Sequence, residues 1–223
     1  GLEAIIHVYT RDRNSMALQG DLLAAHVLGI QNLIVVHSED MANGDHRDAQ
    51  PVYEMDEPGL LQAIHTLQSG KDLAGFELDG HPGFTTGCAM EAFKNEADME
   101  VELQLAQEKV AAGAQFIITP PVFDVEIFAD FMKKASPLGV PIIPTIFLIK
   151  SVAIARYIAN SEPEAHLSEA MIKRIRKASD REMEGIKIAG ETIKALSKIA
   201  QGVKIQTLGW EHRLPQILDV AGL

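Results

Sequence analysis

The sequence predicts an α/β protein with a parallel sheet of the barrel type. Short apolar runs rich in Val and Ile alternate with amphipathic helical stretches along the chain. Such continuous runs are typical of strands buried on both faces, and strict alternation with helices favours a parallel sheet covered by those helices. The end of the chain repeats the pattern: an apolar strand at 203–208 meets Gly209-Trp210-Glu211-His212, and a closing helix begins near Pro215. Ligands of such proteins bind at the carboxyl ends of the strands.

The elements follow one another in a regular order. We predict strands at residues 4–9, 33–37, 84–90, 116–120, 141–148 and 203–208. The helices between them are predicted at 16–28, 59–68, 99–112, 125–136, 151–160, 167–178 and 181–200. Asn14 or Ser15 is suited to cap the first helix and Gly29 to end it, and Asp98 and Gly113 are suited to do the same for the third.

The strand count predicts an incomplete barrel. An eight-stranded barrel needs two strands more than we find, and the chain enters its first strand within a few residues of Gly1. We therefore expect one barrel domain over residues 1–223 that lacks its N-terminal β/α units. Because open parallel edges are prone to associate, we also expect an oligomer.

Composition excludes several classes of function. Apolar residues make up 47% of the chain and charged residues 23%, as in ordinary globular proteins, and no apolar run is as long as a membrane span. The net charge of −11 argues against a nucleic-acid partner, which requires a basic surface. The lone cysteine, Cys88, excludes a disulfide framework and favours a reducing compartment, so we expect a cytoplasmic protein.

Two long loops, at 38–56 and 70–84, adjoin predicted strand ends and are candidates for the ligand face. The segment from Thr10 to Asn14, which follows the first strand, carries Arg11 and Arg13, and these side chains suit a phosphate or carboxylate. An Arg–Asp surface pair with a helix cap is the simpler interpretation of the same residues.

Acidic residues follow the second strand. A carboxylate of Glu39 or Asp40 at this position suits a flavin or a pterin ring. A metal site formed by His37, Glu39, Asp45 and His46 is an alternative, although the spacing matches no metal motif. A solvated acidic loop is the simplest interpretation.

Other candidates are weaker on the sequence alone. Glu102 and Lys109 share a face of one helix, which fits a cofactor contact or a solvated surface. His7, inside a strand, is more often a core histidine than a ligand, and Cys88 in a buried strand is a poor nucleophile. Trp210 and Glu211 offer an aromatic plane beside a carboxylate at the end of the last strand, which suits a planar heterocycle.

No phosphate-binding loop, dinucleotide fingerprint, zinc-type pair or serine-hydrolase elbow is present in the sequence. Longer segments are more specific. They are TRDRN from Thr10, ALQGDLLAAHVLGIQNLIVV from Ala17, GDHRDAQPVYEMD from Gly44, EVELQLAQEKVAAGAQFIIT from Glu100, VFD from Val122 and the terminal GWE. In order and spacing these segments resemble the methylenetetrahydrofolate reductase family, in the form found in acetogenic and related anaerobic microbes.

The resemblance covers essentially the whole chain and implies a (β/α)8 TIM barrel with FAD at the carboxyl ends of its strands. It implies hydride transfer through the flavin between methylene- and methyltetrahydrofolate. The resemblance implies a general-acid glutamate on the first strands of the family fold, and we expect this sequence to lack that stretch. The resemblance places His7 at a flavin-contacting position, Glu102 near the ribityl chain and Lys109 near the phosphates, and we assign Arg11 to the cofactor as well.

Two positions depart from the family pattern. Glu39, followed by Asp40, replaces the aspartate near flavin and folate, and these two carboxylates are the catalytic candidates. Thr119-Pro120 replaces Thr-Gln, so the substrate loses a side-chain hydrogen bond there. We expect Thr119 and Pro120, together with Trp210 and Glu211, to line the substrate site.

Three hypotheses remain open. The first is an FAD-dependent reductase of a tetrahydrofolate derivative, supplied with electrons by a partner protein because Val152 replaces the Phe on which some relatives stack nicotinamide. The second is a non-catalytic or altered paralogue that binds a folate, a one-carbon carrier or a partner subunit. The third is an unrelated barrel enzyme such as an aldolase, for which Lys150 is the candidate Schiff-base lysine.

Overall fold

The six predicted strands form one sheet. In the computed structural model, which describes residues 2–38, 40–93 and 95–223, they lie in the order β1-β2-β3-β4-β5-β6. Sequential order with parallel pairing is the topology of a (β/α) barrel, so the predicted fold class is confirmed, with six β/α units in this chain. The strands are β1 Ile5–Val8, β2 Asn32–Val35, β3 Thr85–Ala89, β4 Phe116–Pro121, β5 Ile142–Phe147 and β6 Lys204–Gln206.

The helices alternate with these strands as predicted, and the closing helix expected near Pro215 is present. They are α1 Ser15–Val27, α2 Glu57–Gln68, α3 Glu96–Ala111, α4 Val125–Ala135, α5 Val152–Ser161, α6 Glu169–Lys177, α7 Arg181–Leu196 and α8 Leu214–Ala221. None of the helices in the described part of the chain combines the length and the apolarity needed to cross a lipid bilayer.

Local sequence explains where the helices begin and end. The side chain of Asn14 accepts a hydrogen bond from the backbone of Ala17 and caps α1, and Gly29 follows that helix with φ +82°. The expected cap at Asp98 is wrong. The side-chain oxygen of Asn95 accepts from the backbone of Asp98 at 3.2 Å, so α3 begins earlier and Asp98 lies in its first turn.

The chain divides into two compact units. The first contains residues 1–89 and 104–117, and the second contains residues 90–103 and 118–223. The single barrel domain over residues 1–223 stays a prediction. The core of the first unit contains fully buried side chains from two helices and a strand, namely Leu18, Leu22, Leu33, Leu60, Leu61, Ile64 and Leu67. A cluster in the second unit includes Ile149, Ala155, Ile158, Leu167, Ile172, Ile175 and Ile188.

The two long loops fall at opposite ends of their strands. The loop that begins at Ser38 follows β2 and therefore lies at the carboxyl edge, as expected for the ligand face. The loop at 70–84 leads from α2 into the start of β3, so it lies at the amino edge, and its assignment to the ligand face is wrong. In a parallel sheet the connection from a helix to the next strand has to return to the amino end.

Candidate functional site

Register brings three strand ends of the first unit to one edge. Val8 of β1 pairs with Val35 of β2, and Val35 pairs with Cys88 of β3, all in parallel. The residues that follow these three positions therefore lie along the carboxyl edge of the sheet. This edge is where ligands bind in (β/α) proteins.

A charged group at this edge, which we call the Glu57 cluster, consists of His37, Glu57 and Lys109. His37 follows β2, Glu57 begins α2, and Lys109 lies in the last turn of α3. Nδ1 of His37 is 3.1 Å from Oε1 of Glu57. The Lys109 ammonium contacts Oε2 of Glu57 and donates a hydrogen bond to the carbonyl of Ala89 at 2.9 Å.

Burial differs sharply within the Glu57 cluster. The side chains of Lys109 and Glu57 are only 12% and 13% exposed, whereas that of His37 is 77% exposed. Oε2 of Glu57 has no hydrogen bond of good geometry among the described residues, so its contact with Lys109 is an ionic contact. A nearly buried ion pair thus supports an imidazole that faces solvent. Buried charges are expensive to desolvate, so each partner of this pair depends on the other for its charge to be tolerated.

Cys88 lies beside the cluster and is fully buried. Burial raises the pKa of its thiol to about 12; the nearby Lys109 opposes the rise and Glu57 adds to it. The thiol is therefore protonated at neutral pH. This agrees with the sequence-based expectation that Cys88 is not a nucleophile.

His7 does not lie in the core. It is exposed on β1, so the expectation of a core histidine is wrong. Its Nδ1 lies 3.5 Å from the hydroxyl of Tyr9, and the two rings meet edge to face. Both residues line a cavity of about 300 Å³ together with Asp12 and Arg13.

The other cofactor and catalytic candidates of this unit are held by local contacts. Arg11 donates to both carboxylate oxygens of Asp12, at 2.6 and 3.2 Å, and this bond lowers the pKa of Asp12. The carboxylate of Asp40 accepts from the backbone of Ala42 at 2.9 Å and caps the short 3₁₀ helix Met41–Asn43. Glu39, the other catalytic candidate, lies outside the described residues.

Ser38 adds an unexpected polar group at this edge. The residue is buried, and its hydroxyl has no hydrogen-bond partner among the described residues. An unsatisfied buried hydroxyl is costly, so a ligand group that hydrogen-bonded to it would be stabilised there. The hydroxyl of Ser38 therefore suits the hydrogen-bonding groups of FAD. The two cations fit its phosphates less directly, because Lys109 is paired with Glu57 and Arg11 with Asp12.

In the second unit, the end of β4 offers few polar groups. Thr119 is only 4% exposed, and its hydroxyl donates to the carbonyl of Pro120 at 3.0 Å. The hydroxyl of Thr145 on β5 donates to the carbonyl of Thr119 at 2.6 Å. These bonds are internal, so the side chains of Thr119 and Pro120 leave little for a substrate to bind. Glu102 is half-buried on α3.

The end of β6 forms a second group, the Glu211 loop, which consists of residues 207–211. Oε1 of Glu211 accepts from the hydroxyl of Thr207 at 2.8 Å and from the backbone of Gly209 at 3.0 Å. Hydrogen bonding by its own backbone N–H, and then by Thr207 and Gly209, lowers the pKa of Glu211. The loop is tight, since Leu208 and Gly209 both have positive φ.

Lys150, just beyond β5, contacts this loop at two points. Its ammonium donates to the carbonyl of Leu208 and lies 4.9 Å from the centre of the Trp210 ring. In both contacts Lys150 acts as a cation, and the contact with Trp210 is a cation–π interaction. A Schiff-base lysine has to be free to attack a carbonyl, so the aldolase hypothesis gains no support here.

Other features contain none of the predicted site residues. A cavity of about 540 Å³ in the second unit is lined by Phe93, Phe131 and His166, among others. Phe93 and His166 both have positive φ, and Nε2 of His166 lies 3.2 Å from the carbonyl of Phe93. Within residues 2–38, 40–93 and 95–223, no group of three or more His, Cys, Asp or Glu side chains is placed to hold a metal ion.

Sequence reasoning missed Glu57 and Ser38. Glu57 follows the capping residue Asp56, and acidic residues are common in the first turn of a helix, so nothing in the sequence distinguished it from an ordinary helix start. On the sequence alone, Ser38 is only one residue of a polar loop. The available signal was its position directly after a buried strand, which is where ligand contacts arise in this fold.

Comparison with known proteins supports one family. The family model described as "Methylenetetrahydrofolate reductase" matches residues 1–222. A "Probable methylenetetrahydrofolate reductase (NADH)" from Oryza sativa subsp. japonica is 25% identical over 163 residues, which cover 67% of this chain and 25% of the relative. "Methylenetetrahydrofolate reductase (NADH) 1" from Zea mays is 28% identical over 137 residues, which cover 55% of this chain and 21% of the relative. The chain thus spans about a quarter of the length of these relatives.

Solved structures resemble the chain more distantly. An uncharacterized protein from Clostridium thermocellum that binds two copies of 5-methyl-5,6,7,8-tetrahydrofolic acid matches with a TM-score of 0.46 and 12% identity, covering 97% of this chain and 93% of that one. A putative deoxyribose-phosphate aldolase from Coccidioides immitis matches with a TM-score of 0.48 and 9% identity. The match covers 98% of this chain and 78% of that one. Values this low do not separate one function from another, so the sequence match carries the family assignment.

Proposed function

The chain belongs to the methylenetetrahydrofolate reductase family, and on that premise we propose that it is an FAD-dependent oxidoreductase that interconverts methylene- and methyltetrahydrofolate. The observation that carries the proposal is the match of the family model over residues 1–222. The position of the Glu57 cluster and of Ser38 at the carboxyl edge of the sheet supports it, because this is the edge at which the fold binds ligands.

We assign the cofactor to the first unit. Bound FAD would supply the hydride-transfer chemistry, while the protein supplies binding and orientation. The buried hydroxyl of Ser38 and the exposed imidazoles of His7 and His37 offer hydrogen bonds. Arg11 and Lys109 stay the candidates for the phosphates, although each is paired with a carboxylate. In the second unit, Trp210 offers an aromatic plane for the folate, and Thr119, Pro120 and Glu211 stay as weaker substrate candidates. Glu102 stays a candidate for the cofactor, as the resemblance implies.

We propose a partner protein as the electron donor. The names of the rice and maize relatives specify NADH. In this chain Val152, the first residue of α5, takes the position where the resemblance places a stacking Phe. A valine has no aromatic face for a nicotinamide ring, so direct use of NADH is not favoured. Mixing the protein with NADH in the absence of any partner should give no flavin reduction, whereas rapid reduction would refute this part of the proposal.

The deciding experiment is an anaerobic visible spectrum of the native-length protein with FAD, before and after addition of 5-methyltetrahydrofolate. A flavin band that bleaches on addition of the folate supports the proposed reaction. A protein that takes up no FAD, or whose flavin ignores the folate, contradicts it. Light scattering on the same sample tests the expected oligomer, for which a stable monomer is the contrary result.

A second candidate function is a non-catalytic or altered paralogue that binds a folate or a partner subunit. The observation that favours it is the end of β4, where Thr119 bonds to the carbonyl of Pro120 and the proline itself has no polar side-chain atom. A polar substrate that loses one hydrogen bond loses about 1–3 kcal/mol of affinity. If this candidate is correct, Pro120→Gln should bind methyltetrahydrofolate and remain inactive. Turnover recovered by this substitution would exclude the candidate and support the reductase.

A further inference from the structure

Glu57 is shared between two basic side chains. One carboxylate oxygen contacts the Lys109 ammonium, and the other lies 3.1 Å from Nδ1 of His37. Lys109 also donates to the carbonyl of Ala89, so both of these contacts are to oxygen atoms of the protein. The positive charge at this edge is therefore already neutralised inside the protein.

An anionic ligand has to compete with this internal carboxylate. A phosphate that approaches His37 from solvent meets an imidazole whose inner nitrogen is held by Glu57, and behind it a lysine whose charge is neutralised. Charge interactions are strong between partly buried groups, because little solvent screens them. The negative charge of Glu57 should therefore repel a phosphate and weaken its attraction to Lys109.

We propose that Glu57 is a specificity-determining residue that lowers the affinity of this edge for phosphate and pyrophosphate groups. It acts through its charge, by occupying Lys109 and by repelling a second anion. Neutral hydrogen-bonding groups are not penalised in this way, so the edge favours the uncharged parts of a ligand over its phosphates. The role differs from a cofactor contact, because Glu57 itself need not touch the ligand.

The test uses inorganic pyrophosphate as the probe and the full chain without flavin. Calorimetric titration should show that Glu57→Gln binds pyrophosphate at least fivefold more tightly than the unsubstituted protein. The glutamine keeps the size and an acceptor oxygen but removes the charge. Glu57→Gln combined with Lys109→Met should lose the gain. Glu77→Gln is the matched control, since it makes the same change in net charge on the loop at the amino edge and should leave affinity unchanged.

The outcomes separate charge from structure. Equal pyrophosphate affinity of Glu57→Gln and the unsubstituted protein overturns the proposal, and so does a gain that survives loss of Lys109 or that appears with Glu77→Gln. If Glu57→Gln fails to fold, as its circular dichroism spectrum would show, Glu57→Asp replaces it. Aspartate keeps the charge but moves it away from Lys109, so Glu57→Asp should give a smaller gain in pyrophosphate affinity. Absence of any gain overturns the proposal.

A flavin series extends the test and rests on the proposed function. Glu57→Gln should raise affinity for FAD and FMN, which carry phosphates, and leave that for riboflavin unchanged. If the unsubstituted protein takes up none of the three flavins, the proposed function fails, while the pyrophosphate series still decides the role of Glu57. If flavins bind and Glu57→Gln raises the affinity for all three equally, the Glu57 proposal alone fails.

Discussion

The Glu57 cluster and the Glu211 loop both lie at strand ends, but they are built in different ways. The Glu57 cluster joins residues from three separate elements around a nearly buried ion pair. In the Glu211 loop the carboxylate is fixed by neighbours two and four residues away. Lys150 contacts this loop from a distant part of the chain, at the carbonyl of Leu208 and the ring of Trp210. The first arrangement should therefore contribute to global stability, and the second should affect local order. The comparison shows that a charged residue at a strand end can be part of the core or part of the surface.

The largest effect is expected for Lys109→Met. The substitution leaves the Glu57 carboxylate nearly buried without its cation, and breaking a buried pair costs about 3–5 kcal/mol. Because each side chain is still slightly exposed, we expect a loss near the lower end of that range. Urea denaturation measures it. The double variant Lys109→Met/Glu57→Gln should recover much of the loss, and a single variant as stable as the parent would show that the pair is not buried in solution.

The next effect concerns the support of the Glu211 loop. A Cβ at Gly185 of α7 would overlap the carbonyl oxygen of Ile149, which directly precedes Lys150. A backbone atom cannot move aside cheaply, so Gly185→Ala should destabilise the fold by about 1–3 kcal/mol and disturb the loop. Gly20→Ala in α1 is the control, because nothing lies near its Cβ and the better helix propensity should add about 0.5–1 kcal/mol. Thermal melts that rank the two variants alike would contradict this steric argument.

A smaller effect appears only at alkaline pH. The folded Cys88 thiol has a pKa of about 12 against 9.0 for an ordinary thiol. Above pH 9 the unfolded chain releases this proton first, so the thiol's contribution to stability is complete below pH 9 and is lost as the pH rises towards 12. The stability of the parent should therefore fall more steeply than that of Cys88→Ala, by at most about 1.4 kcal/mol per pH unit. Urea titrations between pH 8 and 10.5 measure both slopes, and parallel slopes would mean that the thiol is not desolvated.

The smallest effect on stability, but a clear spectroscopic one, is expected for Lys150→Met. Trp210 is the only tryptophan of the chain, so its fluorescence reports on the Glu211 loop alone. Removal of the ammonium over the ring should change the emission maximum and intensity while the melting temperature stays nearly constant. Lys173→Met on α6 provides a control for the loss of one exposed lysine. If emission is unchanged in Lys150→Met, the cation does not lie over the ring in solution.

Local pattern was enough to predict the elements of the fold. The strand at 116–120 and the helix at 125–136 were predicted to within a residue, because apolar runs and helical periodicity are encoded locally. The cap at Asn14 and the glycine at 29 followed from the same kind of evidence. The start of α3 was placed too late because two polar residues, Asn95 and Asp98, both resemble caps, and only geometry shows which one accepts the hydrogen bond.

By itself, the sequence determined the alternating α/β pattern, the carboxyl edge as the ligand side and the resemblance to the reductase family. Each of these depends on residues that are near one another in the chain or on the order of long segments. The tertiary structure decided which charges meet. It showed that Lys109 is paired with Glu57, that the hydroxyl of Ser38 lacks a partner among the described residues and that His7 is exposed. These facts depend on the packing of separate elements against one another, and no local pattern encodes the distance between side chains brought together by folding.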